Sequence, residues 1–198
     1  ATMYFRPVFN NLSFVRSLVL LMGVIWVMPS FPYSWYNILV FLFFIIAFYI
    51  ILALKEFVLI KRAWWHYGLV VSLLYLVAFL TSLSVNPASF FGPALLLVLA
   101  SFLGMSEFTS VSLEVGFRKS LLASSVFAFL IFQGFWVASL LPLGFIGVAN
   151  FVFLEIFILM DLVMNFYTHK LDWRLMWQRI ILFSVLATLL FIGVKWKL

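Results

Sequence analysis

Cysteine does not occur among the 198 residues, histidine occurs twice, and Asp and Glu together number six. The first absence excludes disulfides, thiolate metal ligation and thiol nucleophiles. His66 and His169 alone are too few for a multi-histidine zinc site without help from carboxylates. Charged residues make up only 9% of the chain, whereas soluble domains carry about a quarter. No His-Glu-x-x-His, Gly-x-Ser-x-Gly or phosphate-loop motif occurs, so the motif vocabulary of common hydrolases and nucleotide-binding proteins is missing as well.

What is abundant is apolar surface. Hydrophobic residues are 67% of the sequence, Phe alone numbers 26, and the mean hydropathy is +1.26. A soluble core could not hide that much apolar side chain, but a bilayer accommodates it, since each crossing takes roughly 20 largely apolar residues. In a bilayer every backbone polar group must be satisfied within the span, which selects helices. The expected fold is therefore all-α: a polytopic transmembrane helix bundle of about seven spans, at about 14–28, 36–60, 68–84, 93–115, 120–141, 143–167 and 176–194. Residues 1–13 mix aromatic and basic side chains and suit a short interfacial segment, and 14–198 form a single transmembrane domain. The first stretch lacks a small-x-small cleavage pattern after it and reads as a retained signal anchor.

The few charges are placed by rule. Arg6 and Arg16 precede the first stretch, Lys61 and Arg62 follow the second, Arg118 and Lys119 follow the fourth, and Lys170, Arg174 and Arg179 follow the sixth. The gaps after the first, third and fifth stretches carry no charge. Lys and Arg are retained on the cytoplasmic side, so the pattern predicts the N-terminus inside and the C-terminus outside, in a bacterial or archaeal plasma membrane. The formal charge of +6 is thereby used at span ends, and nucleic acid is not an expected partner. The expected partners are membrane lipids, with other membrane subunits or further copies of the chain; no cofactor, metal site or catalytic residue is expected.

Ionisable groups within a bilayer cost several kcal/mol and need a partner, water or a purpose. Counting from Gly144 at about 1.5 Å per residue, Glu155 lies about 16 Å deep, near the midplane, and Asp161 about 26 Å. Glu107, counted from Gly92, lies about 22 Å deep, so the fourth and sixth spans are expected to meet at these acids. Asn150, Asp161 and Asn165 share one helical face, and Glu155 points about 120° away from it, which puts neighbours on two sides of the sixth span. On the fourth span Ala100, Gly104, Glu107, Val111 and Glu114 form a stripe whose small members allow close approach. Glu155, Asp161, Glu107, Asn150, Asn165 and Gln133 are accordingly the candidates for binding an ion or substrate. Glu114 is expected to pair with Arg118.

A second set lies in the loop Thr168-His169-Lys170-Leu171-Asp172-Trp173-Arg174, where His169, Lys170, Asp172 and Arg174 are candidates for holding a lipid headgroup. His66, following Trp64 and Trp65, reads as part of an interfacial anchor. The first functional expectation is a small transporter or transport-complex component with a carboxylate cluster in the inner half of the membrane. A non-catalytic subunit of a larger membrane assembly is the second, and a lipid-modifying enzyme at the cytoplasmic headgroup level the third.

Overall fold

The computed structural model describes residues 62–84 and 90–193, together with the isolated helical positions Val19, Met22, Ile38, Leu42, Ile45, Ile46 and Tyr49. Five helices occupy the continuous part: α1 Arg62–Ser84, α2 Phe91–Val111, α3 Phe117–Leu140, α4 Gly144–Tyr167 and α5 Trp173–Gly193. All five are long and apolar enough to cross a membrane, as expected of a multi-pass integral membrane protein, and no strand occurs among the described residues. They correspond to the third to seventh apolar stretches of the sequence. The interfacial segment 1–13, the first two spans, the Asn86-Pro87 turn and residues 194–198 lie outside the described residues, apart from the isolated positions named above.

The helices run up and down and close into a ring. α1 packs on α2 and α4, α2 on α3, and α3 on α4, while α5 packs on α4 alone among the principal contacts. α4 thus touches α1, α3 and α5, in keeping with the polar groups expected on two of its sides. The starts of α1, α3 and α5 and the ends of α2 and α4 come together at one end, the end that carries Arg118, Lys119, Lys170 and Arg174. The core of the ring is apolar and close-fitting: Leu73, Leu74, Leu97, Met105, Ile131, Phe135, Ile156 and Met160 are fully enclosed.

Most hydroxyls in the spans need no distant partner. Thr81 and Ser82 donate to the carbonyls of Val77 and Ala78, Ser110 to Ser106, Ser124 to Ser120, Ser184 to Ile180 and Thr188 to Ser184, each one turn back on its own helix. This back-bonding satisfies the O–H where water is absent and adds a second donor to a carbonyl already in the helix ladder.

Helix ends depart from the sequence expectation in two places that matter. α1 begins at Arg62 rather than near Gly68, so His66 is a helical residue, 1% exposed, and not an interfacial anchor. α2 stops at Val111, where Ser112 caps it, and the stripe running through Ala100, Gly104 and Glu107 does not extend to Glu114. Glu114 stands exposed in the α2–α3 turn with φ 51°, a left-handed conformation that ends the helix, and Val115 N–H returns to the Thr109 carbonyl.

Candidate functional site

The sequence-derived candidates are divided among three helix seams instead of forming one cluster. Glu107 lies between α1 and α2, Glu155 between α3 and α4, and Asp161 between α4 and α5. α2 and α4 sit diagonally across the ring, so Glu107 and Asp161 do not meet; each finds a basic partner on a neighbouring helix.

At the α1/α2 seam, one turn inside the basic end, His66 is held on both ring nitrogens. Nδ1 lies 2.6 Å from Ser112 Oγ, and Nε2 lies 3.4 Å from Glu107 Oε1. His66 and Glu107 are both essentially fully enclosed, and Ser112 is half-buried. With the hydrogen on Nε2, the imidazole donates to the carboxylate and its Nδ1 lone pair accepts the serine O–H. Phe108 packs beside this group, with its ring centroid 6.1 Å from that of His66 and 5.8 Å from that of Tyr67. The seam is narrow because Gly104 faces α1: a Cβ there would lie 3.3 Å from Val70 Cγ1 and 3.4 Å from Leu74 Cδ2. Next to it a hydroxyl ladder joins α2 to α3, with Thr109 Oγ1 and Ser120 Oγ 2.7 Å apart and Ser120 also donating to the Ser106 carbonyl at 3.3 Å.

Glu155 occupies a different kind of place. Its carboxylate lies against the backbone of α3 at Gly134, so closely that a Cβ at position 134 would overlap Oε2. Oε2 is buried and has no hydrogen-bond partner among the described residues. Gln133, next in sequence to Gly134, is exposed on the outside of α3 and does not join it. The residue that matters on α3 is therefore the glycine, whose lack of a side chain gave no polar signal in the sequence.

The remaining candidates contact other residues of the chain. Asn150 accepts a hydrogen bond from Tyr75 O–H at 3.1 Å, tying α4 to α1, and Tyr75 stacks edge-on against Phe153. Asn165 Nδ2 turns back to the Asp161 carbonyl at 2.8 Å. Asp161 pairs with Arg179 of α5, Nε to Oδ2 at 2.7 Å, a close charge contact whose N–H is not aimed as a hydrogen bond.

The loop residues set the ends of two helices. His169, at φ 56°, follows the last turn of α4; its N–H returns to Phe166 O and the Lys170 N–H to Asn165 O, the paired bonds of a Schellman stop. Asp172 then caps α5, its carboxylate accepting the Trp173 N–H at 2.7 Å. The side chains of His169, Lys170, Asp172 and Arg174 are all exposed at the basic end. Among the described residues, no three His, Asp or Glu side chains converge as metal ligands, and Glu114 makes no ion pair with Arg118.

A groove of about 910 Å³ opens at the same end between α3 and α4. Leu113, Glu114, Val115 and Gly116 of the α2–α3 turn form its mouth with Lys119, Tyr167 and His169, and Val126, Phe127, Leu130, Leu159 and Leu162 line its depth. Its walls are apolar and its polar groups are confined to the rim. No protein-family model matches this sequence, and no curated protein or solved structure is significantly similar to it.

Proposed function

We propose that the protein is a small transporter or transport-complex component of a prokaryotic plasma membrane, with seven spans, the basic end in the cytoplasm, and Glu155 as the group that takes up the proton or cation. One observation carries this reading: a carboxylate near the middle of a span, with a buried oxygen that lacks a partner among the described residues, seated in a niche that only glycine at 134 leaves open. A purely structural acid at that depth is expected to be hydrogen-bonded, because an unsatisfied buried carboxylate costs several kcal/mol. Protonation or a bound cation removes that cost, so occupancy of the niche and the fit of α3 on α4 are coupled.

The test is proton and cation flux in proteoliposomes. Glu155→Gln keeps the shape and removes titration, and it is expected to fold and to abolish flux. Full flux in Glu155→Gln would sink the reading and favour an assembly subunit, for which the exposed face of α5, with Trp173 and Trp177, is one candidate surface. Orientation is tested separately, in a chain free of background thiols. Single cysteines at Pro142 should react with an impermeant reagent added outside, and those at Lys119 or Leu171 should not; all three positions are exposed.

A further inference from the structure

We propose that Ser112, His66 and Glu107 form a nucleophile, base and positioning acid for acyl-ester cleavage, acting on a lipid acyl chain lodged in the α3/α4 groove, whose mouth the chain reaches at Leu113, one residue past Ser112. Ser112 differs from the other hydroxyls named above. Those return to a carbonyl of their own helix or reach a carbonyl, a hydroxyl or an amide on a neighbouring one, whereas the Ser112 hydroxyl lies 2.6 Å from an imidazole 46 residues away on another helix, the one kind of partner that can take its proton. The other nitrogen of that imidazole faces a fully buried carboxylate. Such a constellation is recognised by geometry and roles, not by sequence position. Here the acid is on Nε2 and the hydroxyl on Nδ1, and the two nitrogens can exchange these roles because a proton gained at one is balanced by the hydrogen bond at the other.

Two further features belong to the same turn. The N–H groups of Leu113 and Glu114, which directly follow the serine, have no acceptor among the described residues, and Glu114 holds the left-handed backbone that turns the chain there. A pair of free N–H groups next to a nucleophile is what an acyl oxyanion requires. The groove mouth begins at Leu113, the residue after Ser112, and its apolar walls run inward from the rim. An acyl chain fits those walls, and the phosphate of a lipid headgroup fits Lys119 and His169 at the rim. The substrate class is therefore a carboxylic ester of a long-chain acid in the leaflet at the basic end.

In the reaction Ser112 Oγ bonds to the ester carbonyl carbon as its proton passes to His66 Nδ1. The carbonyl oxygen becomes the oxyanion facing the Leu113 and Glu114 N–H groups. The bond to the alcohol oxygen breaks, and that oxygen leaves with the proton from His66. Water then attacks the acyl-serine, giving its proton to His66, and the Ser112 oxygen regains that proton as the free acid departs. Glu107 does not touch substrate; it holds the imidazole in the required tautomer.

The experiment is covalent labelling of the full chain, in detergent and in liposomes, by fluorophosphonates bearing a decyl or a methyl tail, read by intact mass and peptide mapping. The expected result is one adduct per chain, on Ser112, formed faster with the decyl probe. Ser112→Ala should give none, and His66→Gln should slow labelling by about a hundredfold or more, the usual scale of general-base loss. Glu107→Gln should lower the labelling rate at saturating probe while leaving the half-saturating probe concentration unchanged, a split that a merely structural role would not produce. Val126→Trp, on the groove wall, should slow the decyl probe and spare the methyl one. Wild-type protein that is monodisperse yet unlabelled at Ser112 would overturn the proposal, as would equal labelling of Ser112 and the exposed Ser125, or an unchanged rate in a folded His66→Gln variant. Failure here and failure of the transport reading are distinguishable, because labelling at Ser112 is read in detergent, where there is no flux, and flux is read in proteoliposomes without the probe.

Discussion

α1 and α5 are both apolar enough to cross a membrane and both begin with tryptophans at the basic end, yet they are used in opposite ways. More than half of α1 is enclosed by its neighbours, whereas Ala187 is the one buried residue of α5. The difference is not hydrophobicity, since lipid is as apolar as leucine and does not drive one helix onto another. It lies in what the facing helix presents. Opposite α1, α2 offers Gly104, which lets the helices approach, and Glu107, which gives His66 a polar reason to be inside. Opposite α5, α4 offers rings: Phe151 meets Phe183 and Phe191 at centroid distances of 5.7 and 6.2 Å. The same contrast separates the two acid–base contacts. His66 and Glu107 are each 1% exposed, while Arg179 and Asp161 are 33% and 15% exposed.

The comparison breaks most severely at the α3/α4 seam of the ring. Gly134→Leu should prevent a stable, monodisperse protein, and even Gly134→Ala should lower detergent stability, because its Cβ must displace the Glu155 carboxylate. Pairing Gly134→Ala with Glu155→Ala should restore much of the loss; a thermal-melting cycle in detergent reads the coupling, and strict additivity would show that the two residues do not touch. Next in size, His66→Ala should cost on the order of 2–4 kcal/mol, from the vacated volume and the buried polar groups left behind. Gly104→Leu should follow at roughly 1–3 kcal/mol by overpacking, and Gly104→Ala should be far milder because its contacts are side-chain atoms at 3.3–3.4 Å. At the periphery, Arg179→Ala should change stability by no more than about 1 kcal/mol, as for other partly solvated pairs. Leu189→Ala, on the exposed face of α5, should be silent in the monomer; a loss of an oligomeric species in that variant would instead identify α5 as an interface.

Some of this organisation was readable along the chain. The apolar runs locate the five described helices, and the Gly104 stripe marks a close seam. The limits of that reading have specific causes. Trp64-Trp65-His66-Tyr67 follows two basic residues and looks interfacial, but whether a histidine at a span end faces headgroups or a neighbour depends on a rotation that periodicity alone does not fix. Ser112 is one serine among many, and its pairing with His66 exists only because α1 and α2 are antiparallel neighbours. Gln133 drew attention by being polar, although the contact belongs to the glycine beside it.

What the sequence determined by itself is the class of solvent and the secondary structure: apolar runs of span length force helices because backbone groups in lipid can be satisfied only locally. What the tertiary structure decided is which helix faces which. That placed three carboxylates in three separate seams, set Glu155 against Gly134, and turned His66 inward between Glu107 and Ser112. These outcomes rest on side-chain volume and hydrogen-bond reach across helices, and both are properties of pairs of distant residues that no single stretch of sequence contains.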